Sequence, residues 1–196
     1  MHNAAYLSRA ELEGLGFAAL GENVRIHPSC VLVGCPKIRI GSHVRIDPFC
    51  VITMSADLEI GNFVHISAHA SVFGAGSIHI DDFACISHGA RILSSTDDLT
   101  SSFLCGPLVP AKWRRPVTSP VALARHTVVG ANSVVLPGAT LEEGATVGAL
   151  SLVKSRLKAW TVNAGVPSRV VGHRDGQAVL MAAHQMLAES SFGEEQ

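Results

Sequence analysis

Residues 123–153, broken every six positions, read LARHTV, VGANSV, VLPGAT, LEEGAT, VGALSL and V. Each block opens on an aliphatic residue: Leu123, Val129, Val135, Leu141, Val147 and finally Val153. The fifth position of each block is small or β-branched, at Thr127, Ser133, Ala139, Ala145 and Ser151. A period of six is not the 3.6 of a helix. It is the mark of a short strand and a bend repeated as a solenoid. The first position fills a narrow prism with a large aliphatic group, and only a small group fits at the fifth.

The same phase runs back toward the N-terminus as pairs: Leu20 and Ile26, Ile40 and Ile46, Ile60 and Ile66, Ile80 and Ile86. Leu20, Ile40, Ile60 and Ile80 are 20 apart, and Leu123 and Leu141 are 18 apart. Eighteen is three sixes, so one coil has three short strands and the earlier coils carry two extra residues on their third side. Second positions are often Gly, Asp or Glu (Gly21, Gly41, Asp47, Gly61, Asp81, Gly130, Glu142, Gly148), residues expected to tolerate the bend. Cys30 and Cys50 fall on fifth positions of successive coils and read as small core residues. Stacked coils place equal positions in ladders at the parallel-strand spacing of ~4.8 Å.

Three segments break the period. Residues 1–19 hold Ser8-Arg9-Ala10-Glu11, a capping box followed by Leu12, Leu15 and Phe17, and so predict a short helix over the first coil. Residues 93–120 form a long insertion with Phe103, Leu104, Val109 and Trp113, too apolar for a plain linker and expected to pack on a neighbouring subunit. Residues 173–196 contain an Ala-, Met- and Leu-rich stretch that predicts a terminal helix and tail. The domain reading is thus a cap over 1–19, a solenoid over 20–172 interrupted by 93–120, and a C-terminal helix.

Composition bounds the function. A chain of 196 residues suits one domain. It has 47% hydrophobic but only 5% aromatic residues, so the core is aliphatic. The 15 basic and 16 acidic residues nearly cancel, which excludes a strongly basic nucleic-acid binder. No apolar run reaches the ~18 residues of a membrane span. The first residues lack the pattern of a secretory signal. Five cysteines without CxxC spacing argue against a disulfide framework. The expected location is the cytoplasm.

Val128–Gly138 (VVGANSVVLPG) resembles the IGAGSVVLPG-type coil of hexapeptide-repeat proteins, and Gly148–Val153 resembles the coil that follows it. Ala164–Val171 (AGVPSRVV) is similar to the AGxPAKxI signature after the last coil, with Arg169 for the usual Lys and Ser168 for the usual Ala. The resemblance covers residues 20–172, in thirteen six-residue units. It implies a left-handed parallel β-helix, a hand that ordinary crossover rules would not give. It also implies a homotrimeric acyltransferase using acetyl-CoA or another acyl thioester, with the CoA channel between two subunits. On that resemblance Ala131, Ala149, Ser151, Lys154 and Arg169 are the expected CoA contacts. Small residues let pantetheine run along the backbone, and cations meet phosphates.

Acyl transfer needs a base for the attacking group and donors for the thioester oxyanion. Sugar acetyltransferases of this family carry a catalytic His at the head of the inserted loop. The matching place here is Ser95-Thr96-Asp97-Asp98, and no His occurs from Gly89 to Arg125. His65, at the sixth position of a unit, should point out of the prism and is the expected base, with Asp97 or Asp98 as its orienting carboxylate. His88 is the second candidate. The function read from these features is acyl, expectedly acetyl, transfer to a hydroxyl or amino group of a sugar or nucleotide-sugar, in polysaccharide precursor synthesis, without a metal. Two rivals stay open. One is a γ-class carbonic-anhydrase-like zinc protein drawing on His65, His69, His79 and His88. The other is a β-helix scaffold subunit without catalysis.

Overall fold

The computed structural model describes residues 5–100 and 102–192. Residues 1–4 of the expected cap and 193–196 of the expected tail lie outside them. The chain winds as a left-handed parallel β-helix of three faces. The first face stacks Ala19–Leu20, Ile38–Ile40, Leu58–Ile60, Ile78–Ile80, Val121–Leu123 and Thr140–Leu141. The second stacks Arg25–Ile26, Arg45–Ile46, His65–Ile66, Cys85–Ile86, Val128–Val129 and Thr146–Val147, and is extended by the antiparallel hairpin Thr161–Gly165 and Ser168–His173. The third stacks Val31–Val33, Val51–Met54, Ser71–Gly74, Arg91–Leu93, Val134–Val135 and Leu152–Val153. Its early strands are the longer ones, where the 20-residue coils carry their extra residues.

The prism interior is the ladder that the six-residue period requires. First-position Ile26, Ile46, Ile66, Ile86 and Val129 are wholly buried. So are fifth-position Cys50, Ala70, Ala90, Ser133, Ala139 and Ala145. Fully burying one such isoleucine contributes roughly 1.5–3 kcal/mol, and removing it would also leave a void.

The corners turn at the fourth position, not the second. Asn23, His43, Phe63, Phe83, His126, Asn132, Leu150 and Trp160 all take left-handed backbone, with φ from 53° to 62°. The expectation that second-position residues serve the bend is therefore corrected. Gly41 has an ordinary φ, but a Cβ there would stand 2.7 Å from the backbone carbon of Gly61. It is small because two coils touch at that point. Left-handed backbone on a side-chain-bearing residue costs roughly 1–2 kcal/mol. Stacking offsets part of that cost. The rings of His43, Phe63, Phe83 and His126 lie face to face, at 4.6, 5.0 and 4.9 Å between centroids. Trp160 continues the column at 6.2 Å from His126, across a coil whose own corner residue is Gly144. A Cβ on Gly144 would fall 2.1 Å from the Trp160 ring.

Helix α1 (Arg9–Gly14) closes the first coil and buries Leu12. Its capping box forms as its sequence predicts: the Ser8 hydroxyl accepts from Glu11 N–H, and the Glu11 carboxylate accepts from Ser8 N–H at 2.7 Å. Helix α2 (Gly176–Phe192) follows the terminal hairpin. The insertion leaves the third face after Leu93 and opens with the antiparallel pair Ser95–Asp97 and Pro116–Thr118. Phe103, Leu104 and Trp113 remain exposed within the chain. No described helix is long and apolar enough to cross a membrane.

Candidate active site

Three side chains of the second face project outward in one row: Arg25 pairs in register with Arg45, and Arg45 with His65. Asp47, just past Arg45 on the corner toward the third face, turns its carboxylate back to this row. His65 Nε2 lies 2.8 Å from Asp47 Oδ2, Arg45 Nε donates to Oδ1 at 2.6 Å, and the Tyr6 hydroxyl donates to Oδ1 at 3.2 Å. The Asp47 side chain is only 7% exposed. Burial alone would push its carboxyl up, but the hydrogen bonds from Arg45 and His65 outweigh it and hold the group below the usual carboxylate range. An ionised carboxylate can only accept, so the proton of the neutral His65 ring sits on Nε2 and Nδ1 carries the free lone pair. No described residue hydrogen-bonds that Nδ1.

The expected orienting carboxylates are elsewhere. Asp97 accepts from the Gly106 backbone N–H at 2.7 Å and from Arg114 at 3.1 Å, and these two bonds, the first the larger effect, lower its pKa. Asp98 accepts from the Thr100 N–H and hydroxyl. Within the chain, then, His65 is paired with Asp47 in place of Asp97 or Asp98. The reason is the ladder itself. His65 faces the neighbouring coil of its own sheet, whereas the Asp97 carboxylate is drawn to Gly106 and Arg114, and that of Asp98 to Thr100, within the insertion. Asp47 had been legible only as a second-position corner residue. Its signal was the Arg45-x-Asp47 step one coil before a sixth-position His.

His88 is exposed on the corner between the second and third faces, and no described side chain bonds its ring. His69 stacks on Phe49 at the same kind of corner, and His79 pairs with Glu59 at 3.1 Å on the first face. The four histidines of the zinc rival thus point from different parts of the prism. No group of three ligating side chains forms among the described residues.

The expected CoA residues divide. Ala131 and Ala149 occupy the same corner position on successive coils, linked by the Leu150 N–H to the Ala131 carbonyl at 2.9 Å. The signature hairpin docks beside them: Gly148 N–H donates to the Asn163 carbonyl at 2.7 Å, and Ala164 pairs with Arg169 across the hairpin. Arg169 is exposed there. Ser151 is buried, with its hydroxyl donating to the Ala149 carbonyl and accepting from Gly165 N–H. It shapes the corner from inside and offers no surface to a ligand, a correction that follows from its fifth-position side chain. Lys154 is exposed at the far end of the third-face strand, one corner away from Ala149.

A three-faced hexapeptide solenoid with a looped insertion, a small-residue corner and a terminal hairpin defines a class, the hexapeptide-repeat acyltransferases. The chain belongs to that family, among its sugar acyltransferases. It is 35% identical to the Escherichia coli dTDP-4-amino-4,6-dideoxy-D-glucose acyltransferase over 97% of this chain and 98% of that protein. AntD, an N-acyltransferase from Bacillus cereus crystallised with dTDP and coenzyme A, superposes with a TM-score of 0.91 at 32% identity, over 95% of this chain and all of the other. The hexapeptide-repeat acetyltransferase VCA0836 of Vibrio cholerae shares the fold alone, at 21% identity and a TM-score of 0.57 over 87% of this chain and 83% of that one. No protein-family model matches the sequence.

Proposed function

We propose that the protein transfers an acyl group from acyl-CoA to the 4-amino group of a dTDP-linked 4-amino-4,6-dideoxyhexose. The observation that carries this reading is the near-complete match to two enzymes named for that chemistry. One is the E. coli acyltransferase, and the other is AntD, also crystallised with the aminosugar nucleotide together with coenzyme A. The acyl donor is expected to run along the corner of Ala131 and Ala149, with Arg169 near its phosphates. AntD has also been crystallised with 3-hydroxybutyryl-CoA, so the acyl group here is a C2 to C4 chain, acetyl being the first to try.

In this reading the amine attacks the thioester carbonyl directly and thiolate leaves. The acceptor nitrogen loses its proton to His65 Nδ1, and Asp47 stabilises the imidazolium that results. Asp97 offers a second reading. AntD has been crystallised with replacements of a serine and of an aspartate ten positions apart, and Ser87 and Asp97 keep that spacing here. An ionised Asp97, held by Gly106 and Arg114, is suited to anchor the acceptor's ammonium group.

The active assembly is a homotrimer in this proposal. Its support is an apolar third face: Val31, Val33, Val51 and Phe73 are exposed, and Val33, Val51, Met54 and Phe73 line a cleft of about 480 Å³ that reaches Ser95. A soluble chain rarely leaves such a strip uncovered.

The test is release of free thiol from acetyl-CoA and from 3-hydroxybutyryl-CoA with dTDP-4-amino-4,6-dideoxyglucose, against dTDP-glucose as the hydroxyl-only control. Turnover confined to the amino sugar is the expected result. Turnover with dTDP-glucose, or none with either, overturns the reading.

A further inference from the structure

We infer that Arg25 and Arg45, neighbours in the outward row of the second face, are the seat of the acceptor's diphosphate. The inference rests on the nucleotide-sugar reading above and names the part of the site that would hold the charged middle of that substrate. The starting point is a local conflict. Arg25 and Arg45 are opposite each other in a parallel pair. Like charges placed that way are destabilising, and surfaces usually avoid them. Arg25 is not cancelled locally, and Arg45 only in part. Arg25 has no ion pair among the described residues, and Arg45 gives only its Nε to Asp47, leaving its terminal amino groups for another acceptor. Asp47 is already shared between Arg45, His65 and Tyr6. Glu22, at the corner before Arg25, lies 3.9 Å from Arg9.

The row opens on a cleft of about 380 Å³ lined by Asn23, Arg25, His43, Val44 and Arg45. Apart from Val44, every lining side chain can donate a hydrogen bond, and none is acidic, so the cleft is built for an anion. Two guanidinium forks one strand spacing apart, ~4.8 Å, suit two phosphates joined through one oxygen, each fork taking one phosphate with paired donors. The next residue in the row is His65. A diphosphate on Arg25 and Arg45 therefore leaves the hexose one strand spacing further on, with its amine at His65 Nδ1. The row reads in the order of the substrate: nucleoside, diphosphate, reacting amine.

The experiment is calorimetric titration of the full chain with dTDP, thymidine and acetyl-CoA, for the native protein, Arg25→Ala and Arg25→Lys. Arg25→Ala should weaken dTDP about tenfold or more, Arg25→Lys less, acetyl-CoA affinity should not move, and the thermal midpoint should not fall. Any thymidine affinity should also be unchanged, because the nucleoside has no phosphate. Unchanged dTDP affinity in Arg25→Ala overturns the assignment and leaves the nucleotide-sugar reading standing. A native protein that binds acetyl-CoA but not dTDP overturns that reading and the diphosphate seat with it.

Discussion

His65 and Asp47 stand one coil apart in space and 18 residues apart in the chain. The carboxylate is nearly buried and has three donors, so it is fixed before any substrate arrives, as a group that must hold an imidazole in one tautomer should be. His65→Ala is expected to lower kcat by ~10²-fold or more with acetyl-CoA affinity unchanged, measured by steady-state thiol release and calorimetry. A near-native rate would move the base to His88 or the role to Asp97. Asp47→Asn keeps the shape but lets the ring settle in either tautomer. It should lower kcat at neutral pH by about 10-fold or more while KM for dTDP-aminosugar stays within a factor of about two. A purely structural role for Asp47 would instead appear as a lower thermal midpoint with the rate preserved in the folded fraction.

Elements carry the second set of consequences. The corner of Ala131 and Ala149 is smooth because both side chains end at Cβ. Ala149→Phe should weaken acetyl-CoA binding by about 10-fold without unfolding the coil, since the side chain is exposed. Unchanged affinity would put the donor on another corner. The stacked column from His43 to Trp160 predicts a pH effect on stability. His126 is 5% exposed and its Nε2 has no hydrogen-bond partner among the described residues. Burial, followed by nearby Arg125, holds its pKa below the ordinary value, although Glu143 and Asp82 pull the other way. A depressed histidine contributes its full stability above the unfolded pKa of ~6.5 and loses it as pH falls below that value toward the folded pKa. The thermal midpoint should therefore drop between pH 7 and 5, and His126→Phe, a ring already accepted at Phe63 and Phe83, should flatten that drop. An equal drop in the variant would assign it to other groups.

This scale also separates what was legible in the sequence from what was not. The coils, their three sides and the end cap were legible because burial dictates residue size at every sixth and fifth position, and a capping box is a local pattern. The partner of His65 was not. Which carboxylate meets a given ring depends on the stacking of one coil on the next, and a six-residue period fixes the register of backbones without saying which way a corner side chain turns. The glycines at second positions were misread for a related reason: contact between coils is invisible in a single strand. Ser151 shows the converse. Its position in the period already placed it inside the prism.

At the scale of the whole molecule, the proposed trimer would tie assembly to chemistry through the exposed third-face strip. On that proposal Val33→Glu should shift the protein toward monomer in sedimentation analysis, and thiol release should fall with it. Full activity in a monomeric variant would mean that each chain carries a complete site.

The insertion leaves no scar in the ladder. His79 pairs with Ala122 and Cys85 with Val128 in the same in-register way as the coils before them, although more than forty residues separate the partners. To the prism, the excursion is a parenthesis. Because closing a longer loop adds only ~0.6 kcal/mol per doubling of its length, evolution can lengthen, shorten or rewrite this segment at little expense to the solenoid. Acceptor choice can then diverge in the parenthesis while the surrounding text stays constant.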